Sequence, residues 1–474
     1  MSDGRARRSK RVGFISLGCA KNLVDTEVML GHLDGSGWDL VKDPAEADVI
    51  IVNTCSFIGP ARKESIDTIL EAAEYKKTGR LRRLVVAGCM VQRYEDELQS
   101  SLPEIDAFID LDELHAVTDR LEDRPSDKNA APLRSDLPLT AARPTTDPDR
   151  PAVRWSAARY LYDETTPRRL ATPPWTAYVK IAEGCNHTCS FCAIPGFRGR
   201  FRSRTPDSVV DEVQRLVRGG VREVNLIAQD SSHYGRDLGL DEGPAKLLGR
   251  LDEVEGLRWI RLHYLYPNTI TDLLIETMAR RERVVEYVDL PLQHADRDVL
   301  RRMRRGGSAV GHLRLLEKFR RAMPAVALRS TFIVGFPGET DAEFERLLEF
   351  VREVRFDHLG VFTYSHEEGT TAFELEDDVP AELKQERFGR LMECQQAIVA
   401  EHNAAMVGRR VEVLVEGAHP ETEHLLVGRM SRQAPDVDGQ VLINDGTARP
   451  GEFVPVRLSE TAGYDLVGAI LDAA

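Results

Sequence analysis

Cys185-Asn-His-Thr-Cys189-Ser-Phe-Cys192 follows directly on the apolar run Ala177–Ile181. Three thiols at this spacing, at the end of a buried strand, read first as iron ligands. Thiolates hold iron–sulfur clusters, and a cubane cluster has four irons. Three cysteines therefore leave one iron open, and an open coordination position marks a catalytic metal site. The alternative is a zinc site or unrelated buried thiols. Zinc would normally take a fourth Cys or His at similar spacing, and His187 lies inside the loop.

Outward from this loop a strand–helix rhythm runs to about residue 402. Further strand candidates are Glu223–Ala228, Trp259–Leu265, Tyr287–Leu290, Ala327–Val334 and His358–Thr363, with helical spacing between them, as in Pro206–Arg218 and Ala342–Val354. About six such units fit a partial or full (β/α) barrel, with ligands at the carboxyl ends of its strands. Glu382–Asn403 reads as a long helix. Beyond Gly408 come five short β runs: Arg410–Val415, His424–Met430, Gly439–Ile443, Glu452–Leu458 and Tyr464–Ile470. Short strands at that density predict a small β barrel.

Towards the amino end, Val12–Leu17, Val49–Val52 and Leu84–Ala87 are buried-type runs separated by helical stretches Asn22–Leu33 and Arg62–Tyr75. Unbroken apolar runs with helices between them imply a parallel sheet covered on both faces. Cys19, Cys55 and Cys89 each fall at the end of one of these strands. Ligands gather at the carboxyl ends of such strands. The three thiols therefore predict a second cluster site, against the alternative of three scattered core cysteines. Cys394 lies in a helical pattern with no cysteine partner and reads as structural. Residues 125–174 hold nine of the 24 prolines and read as a linker or insertion, at least partly mobile, with Trp155, Tyr160, Leu161 and Tyr162 docking locally. The expected division is an N-terminal domain over 11–124, the linker over 125–172, the barrel core over 173–403 and the β barrel over 405–472. The fold class is α/β.

CxxxCxxC is the signature of the radical S-adenosylmethionine superfamily, which this sequence resembles. Thr331-Phe-Ile-Val-Gly335-Phe-Pro-Gly-Glu339 looks like that superfamily's adenine-contacting strand. Gln229, Asp230, Gln293 and His294 end strands on the same rim and are candidates for methionine or ribose, or for plain strand-end capping. With the N-terminal cysteines and a C-terminal TRAM barrel, the chain resembles the methylthiotransferase family along nearly its whole length. Gly18-Cys19-Ala-Lys-Asn-Leu-Val-Asp25 and Glu183-Gly-Cys185-Asn-His187 look most like the branch that modifies an aspartate of small-subunit ribosomal protein twelve. The competing branch modifies adenosine in transfer RNA. The resemblance implies two 4Fe-4S clusters, one on Cys19, Cys55 and Cys89 and one on Cys185, Cys189 and Cys192. It implies S-adenosyl-L-methionine both as methyl donor and as radical source. A radical then takes a β-hydrogen from the aspartate, and the carbon captures a methylthio group. An unactivated C–H bond gives general acid–base chemistry no handle, so a cofactor has to supply the radical.

Charge bears on the partner. Lys and Arg total 63 and Asp and Glu 77, a formal net charge of −14. A field of that sign does not hold nucleic acid and suits a basic ribosomal protein. From residue 405 onward six arginines and no lysine stand against eleven acids. Nucleic acid is accordingly not expected to be the primary substrate. Arg198, Arg200, Arg202 and Arg204 after the cysteine loop, and Arg301–Arg305, read either as carboxylate or phosphate ligands or as a solvated face. A reducing electron donor is required. The basic start and short apolar run Val12–Leu17 imitate a signal peptide, but the run is too short and contains Ser16, so a cytoplasmic protein is expected. A rival reading, an iron–sulfur electron carrier fused to an RNA-binding barrel, sits badly with triads that leave an iron open.

Overall fold

The computed structural model describes residues 10–122 and 157–471. Trp155 and residues 125–156 of the expected linker lie outside the described residues.

The N-terminal unit is a five-stranded, all-parallel sheet. Its order is Trp38–Val41, Lys10–Ser16, Val49–Thr54, Arg83–Gly88, Ala107–Ile109. The three strands that end at cysteines are thus the three central neighbours. Val49–Thr54 is buried at all six positions, as a strand covered on both faces must be. The helix Ala20–Leu33 lies on one face, and Gly59–Thr78 and Cys89–Ser101 flank the other core. Two strands went unread in the sequence, Trp38–Val41 and Ala107–Ile109. They are short edge strands with at most three consecutive apolar residues, too short a run for periodicity to mark.

The central unit holds six parallel strands taken in chain order: Thr176–Lys180, Glu223–Ile227, Trp259–Leu262, then Tyr287–Asp289, Ala327–Val334 and His358–Thr363. They form two three-stranded sheets joined by one bridge, Ile260–Val284. Helices such as Pro206–Arg218 and Asp341–Val354 cover the outside and bury one large apolar core. The long helix runs over Ala381–Met406, and the half-buried Cys394 packs from it against that core. The last unit is a closed five-stranded barrel ordered Arg410–His419, Thr422–Arg429, Val441–Asp445, Asp465–Ile470, Phe453–Ala462.

The described part of the expected linker docks locally as a strap, with Tyr160 and Tyr162 packed into a core. Residues 157–172 cross the helix Ala20–Leu33 so closely that a Cβ on Gly31 would stand 2.4 Å from the Pro167 carbonyl carbon. Arg168 donates to Glu27 and Glu212, and Arg169 N donates to the Glu27 carbonyl at 3.0 Å. Tyr162 is buried, and its hydroxyl accepts from Lys180 N at 3.0 Å. Buried ion pairs of Arg168 hold this part against the helix.

Candidate functional site

The carboxyl ends of the N-terminal sheet and the barrel face one another. Gly59 N, just past Cys55, donates to Glu367 Oε1 at 2.7 Å and to Ser365 Oγ at 3.2 Å beyond the last barrel strand. Arg62 pairs with the same Glu367, and Arg93 Nη2 donates to the Glu368 carbonyl at 3.3 Å. Lys21 Nζ, beside Cys19, sits 3.3 Å from the ring centroid of Tyr264 on the barrel rim.

The three N-terminal cysteines meet at this seam. Gly18, with φ +86°, turns the chain so that a Cβ there would lie 3.0 Å from Cys55 Sγ. Asn22 ties the turn together, donating to the carbonyls of Leu17 at 2.9 Å and Thr54 at 2.8 Å. Burial pushes the Cys89 thiol up to about 12; Arg198 opposes this, and the neighbouring Cys19 and Cys55 sulfurs add to it. Burial also raises Cys55.

The loop Cys185–Cys192 sits at the opposite rim. Gly184, with φ +83°, starts it, and a Cβ there would lie 2.2 Å from the Arg200 carbonyl oxygen. Cys185 Sγ accepts from His187 N at 3.4 Å, and Cys189 Sγ from Arg305 Nη1 at 3.5 Å. Burial raises Cys185 to about 11 and Cys192 to about 12. His187 stacks on Tyr266 with centroids 3.8 Å apart and bonds Asp230 Oδ2 at 2.7 Å. Asp230 also accepts from Ser232 Oγ at 2.5 Å.

Both triads fit iron–sulfur clusters by the chemistry of their donors. As bare thiols, Cys55, Cys89, Cys185 and Cys192 resist ionisation, and a bound metal would make them thiolates. Each site supplies cations or N–H donors that favour the thiolate: Lys21 and Arg198 at one, Arg305 and His187 N at the other. Among the described residues no three His, Cys, Asp or Glu side chains converge on one ion.

The six candidate S-adenosylmethionine contacts fare differently. Gln229 is half-buried on the rim, and its Oε1 has no partner while its Nε2 donates to Glu183 at 2.6 Å, leaving an acceptor for a ligand. Gln293 sits at φ +72°, and its carbonyl accepts from Ile333 N at 2.8 Å. Asp230 orients His187. His294 is wholly buried, and burial lowers it to about 3. Gly335 makes room for Lys384, whose Cγ would lie 2.3 Å from a Cβ there. Glu339 accepts from Gly335 N at 2.7 Å and from Arg387 Nη1 at 3.2 Å, and burial raises it to about 7. Asp230, Gly335 and Glu339 thus shape the rim that Gln229 lines.

Sequence reading weighed the arginine run without separating its members. Arg198 and Arg204 are buried in ion pairs, Arg200 is exposed, and Arg302 pairs with Glu343. Asn22, Asp25, Lys180 and Glu183 escaped notice as site residues. Asn22, Asp25 and Glu183 carried signal only as members of the quoted branch motifs, and Lys180 none beyond its place in the strand before Cys185.

Comparison with known proteins bears on this arrangement. The family model described as uncharacterized protein family UPF0004 matches residues 11–110, the radical SAM superfamily 179–351 and the TRAM domain 407–471. A radical S-adenosylmethionine methyltransferase from Kitasatospora setae, TsrM, solved with its tryptophan substrate and an analogue of S-adenosylmethionine, shares the fold. The TM-score is 0.54 at 13% identity, over 83% of this chain and 90% of that one. The fold and the triad loop define a radical S-adenosylmethionine enzyme. The proteins named ribosomal protein uS12 methylthiotransferase RimO from Solibacter usitatus and Syntrophotalea carbinolica are 49% and 47% identical, over 97% and 100% of this chain and 95% and 99% of theirs. The chain belongs to the RimO family of methylthiotransferases.

Proposed function

We propose that this chain methylthiolates the β-carbon of an aspartate in small-subunit ribosomal protein uS12. The observation that carries the reading is the seam itself: two cysteine triads on facing sheet ends, within one fixed body. Cys185, Cys189 and Cys192 would hold the cluster that binds S-adenosylmethionine, and Cys19, Cys55 and Cys89 a second one. When bound, the first supplies a radical able to take a β-hydrogen and the second supplies the methylthio sulfur.

The protein's own residues do the rest. Gln229 offers its free oxygen to the cofactor at the rim. His187, clamped between Tyr266 and Asp230, fixes the cysteine loop. The strap 157–172 and the Glu367 contacts hold the two halves at one spacing, which a reaction between fixed centres requires, since reacting atoms must lie within roughly 3–3.5 Å. The proposed division is 11–124, 125–172, 173–403 and 405–472. An external reductant supplies the electrons. Among the described residues no helix is long and apolar enough to cross a membrane, and a ribosomal substrate fits a cytoplasmic protein.

A transfer RNA substrate is disfavoured by charge as well as by kinship. Of the six C-terminal arginines, Arg429 turns inward to Glu223 at 2.7 Å and Arg432 pairs with Asp357. Four remain for phosphates against the acids counted above. The test is competition. Reconstituted protein is offered uS12 and unmodified transfer RNA together, and methylthio label is followed in each. Label is expected in uS12; label in the RNA alone would overturn the reading.

A further inference from the structure

Arg198 lies in the barrel unit, six residues past Cys192, yet its side chain crosses the seam. It is wholly buried, and its Nη2 lies 3.0 Å from Cys89 Sγ, 3.0 Å from Asp25 Oδ2 and 3.2 Å from Asn22 Oδ1, all in the N-terminal unit. Its Nη1 donates to Glu183 Oε2 at 2.9 Å. Glu183 stands two residues before Cys185 and also accepts from Lys180 at 2.7 Å and from Gln229 at 2.6 Å. One guanidinium therefore joins a sulfur of one triad to the residue that leads into the other.

We propose that Arg198 is a positioning residue that holds the Cys89 sulfur of the N-terminal cluster and couples that cluster to the barrel site. The proposal rests on the reading of Cys19, Cys55 and Cys89 as cluster ligands. A free Cys89 thiol can donate to Asn22 Oδ1, 3.5 Å away. An iron-bound thiolate has no proton to give, and the Arg198 N–H becomes the donor that satisfies both sulfur and amide. Charge-assisted bonds of this kind are about twice as strong as neutral ones. Hydrogen bonds to cluster sulfurs and net charge set cluster potentials. The reduced cluster carries the extra negative charge, so a guanidinium on its sulfur favours reduction. Lysine at this position keeps the charge but lacks the rigid fork that reaches sulfur and both carboxylates together.

The test uses the full chain with Cys185, Cys189 and Cys192 changed to Ala, so that only the N-terminal cluster remains, with and without Arg198→Lys. Midpoint potentials are read by anaerobic titration with electron paramagnetic resonance. The expected result is a lower potential in the lysine variant. At the parent's midpoint the reduced-to-oxidised ratio should fall about tenfold, equivalent to 59 mV for a one-electron couple. In the chain with both triads, Arg198→Lys should still form 5′-deoxyadenosine but release several-fold more of it per methylthiolated uS12. An unchanged potential together with an unchanged ratio overturns the proposal. If the lysine variant does not fold, the parent is grown with guanidino-¹⁵N arginine: a nitrogen hyperfine coupling to the reduced cluster is expected, and its absence overturns the proposal. A parent that binds no iron refutes the second-cluster reading instead, independently of Arg198.

Discussion

Cys55 separates the two halves of the chemistry at the scale of one residue. It is buried against Gly18, on the far side of the seam from Cys185–Cys192. Cys55→Ala removes one proposed ligand of the N-terminal cluster and leaves the barrel rim untouched. The variant is expected to cleave S-adenosylmethionine at near the parent rate while methylthiolating uS12 at least a hundredfold more slowly. Product mass and 5′-deoxyadenosine measured in one reaction check both. The cysteines were legible in the sequence because their residue type and strand-end position are rare together. Arg198 was not legible beyond its charge. Its partners lie at 25, 89 and 183, and no spacing rule relates those positions to 198. His294 and Glu339 show the converse: a residue at a strand end can be buried in the frame that builds a rim.

At the scale of the element, a glycine in the left-handed region precedes three of the six cysteines. Gly18, Gly88 and Gly184 have φ of +86°, +94° and +83°. Each ends a run of extended chain and aims the next residue into the seam. A Cβ on Gly88 would stand 2.2 Å from Asn53 Oδ1, whose side chain also donates to Thr26 and the Asn22 carbonyl at 2.8 Å. Gly88, at φ +94° and ψ −154°, lies in a region essentially reserved for glycine, so Gly88→Ala adds a backbone penalty of roughly 1–3 kcal/mol to a steric clash in the turn. A lower melting temperature and loss of about half the bound iron are expected, the barrel site keeping its share; full iron content would show that the turn tolerates the side chain. The six barrel strands and five C-terminal strands were readable because apolar runs mark them. The edge strands Trp38–Val41 and Ala107–Ile109 were not, because their apolar runs are at most three residues long.

At the scale of the whole molecule, buried charge joins the units. Glu223, fully buried at the foot of a barrel strand, accepts from Arg429 Nη2 at 2.7 Å and Arg261 Nη2 at 3.3 Å. The two guanidiniums hold its carboxyl well below the usual carboxylate range against the opposing effect of burial. Arg329, Tyr287 and His358 meet Asp438 of the C-terminal barrel in the same way. Such pairs favour one docking geometry, and breaking one leaves an uncompensated buried charge. Glu223→Ala is expected to destabilise the joined units by roughly 3–5 kcal/mol, seen as a lower melting temperature and faster proteolysis between the barrel core and residue 410. Unit order was legible in the sequence. The orientation was not, since it depends on ion pairs between residues as far as 305 positions apart, as in Arg62–Glu367.

Iron content measures the central claim most directly. Anaerobically reconstituted chain is expected to hold about eight irons, from two cubane clusters of four. With Cys185, Cys189 and Cys192 changed together to Ala it should hold about four and form no 5′-deoxyadenosine. With Cys19, Cys55 and Cys89 changed instead it should again hold about four, but still form 5′-deoxyadenosine. Full iron in the first variant, or about four irons in the parent chain, would contradict two cluster sites facing each other across one seam.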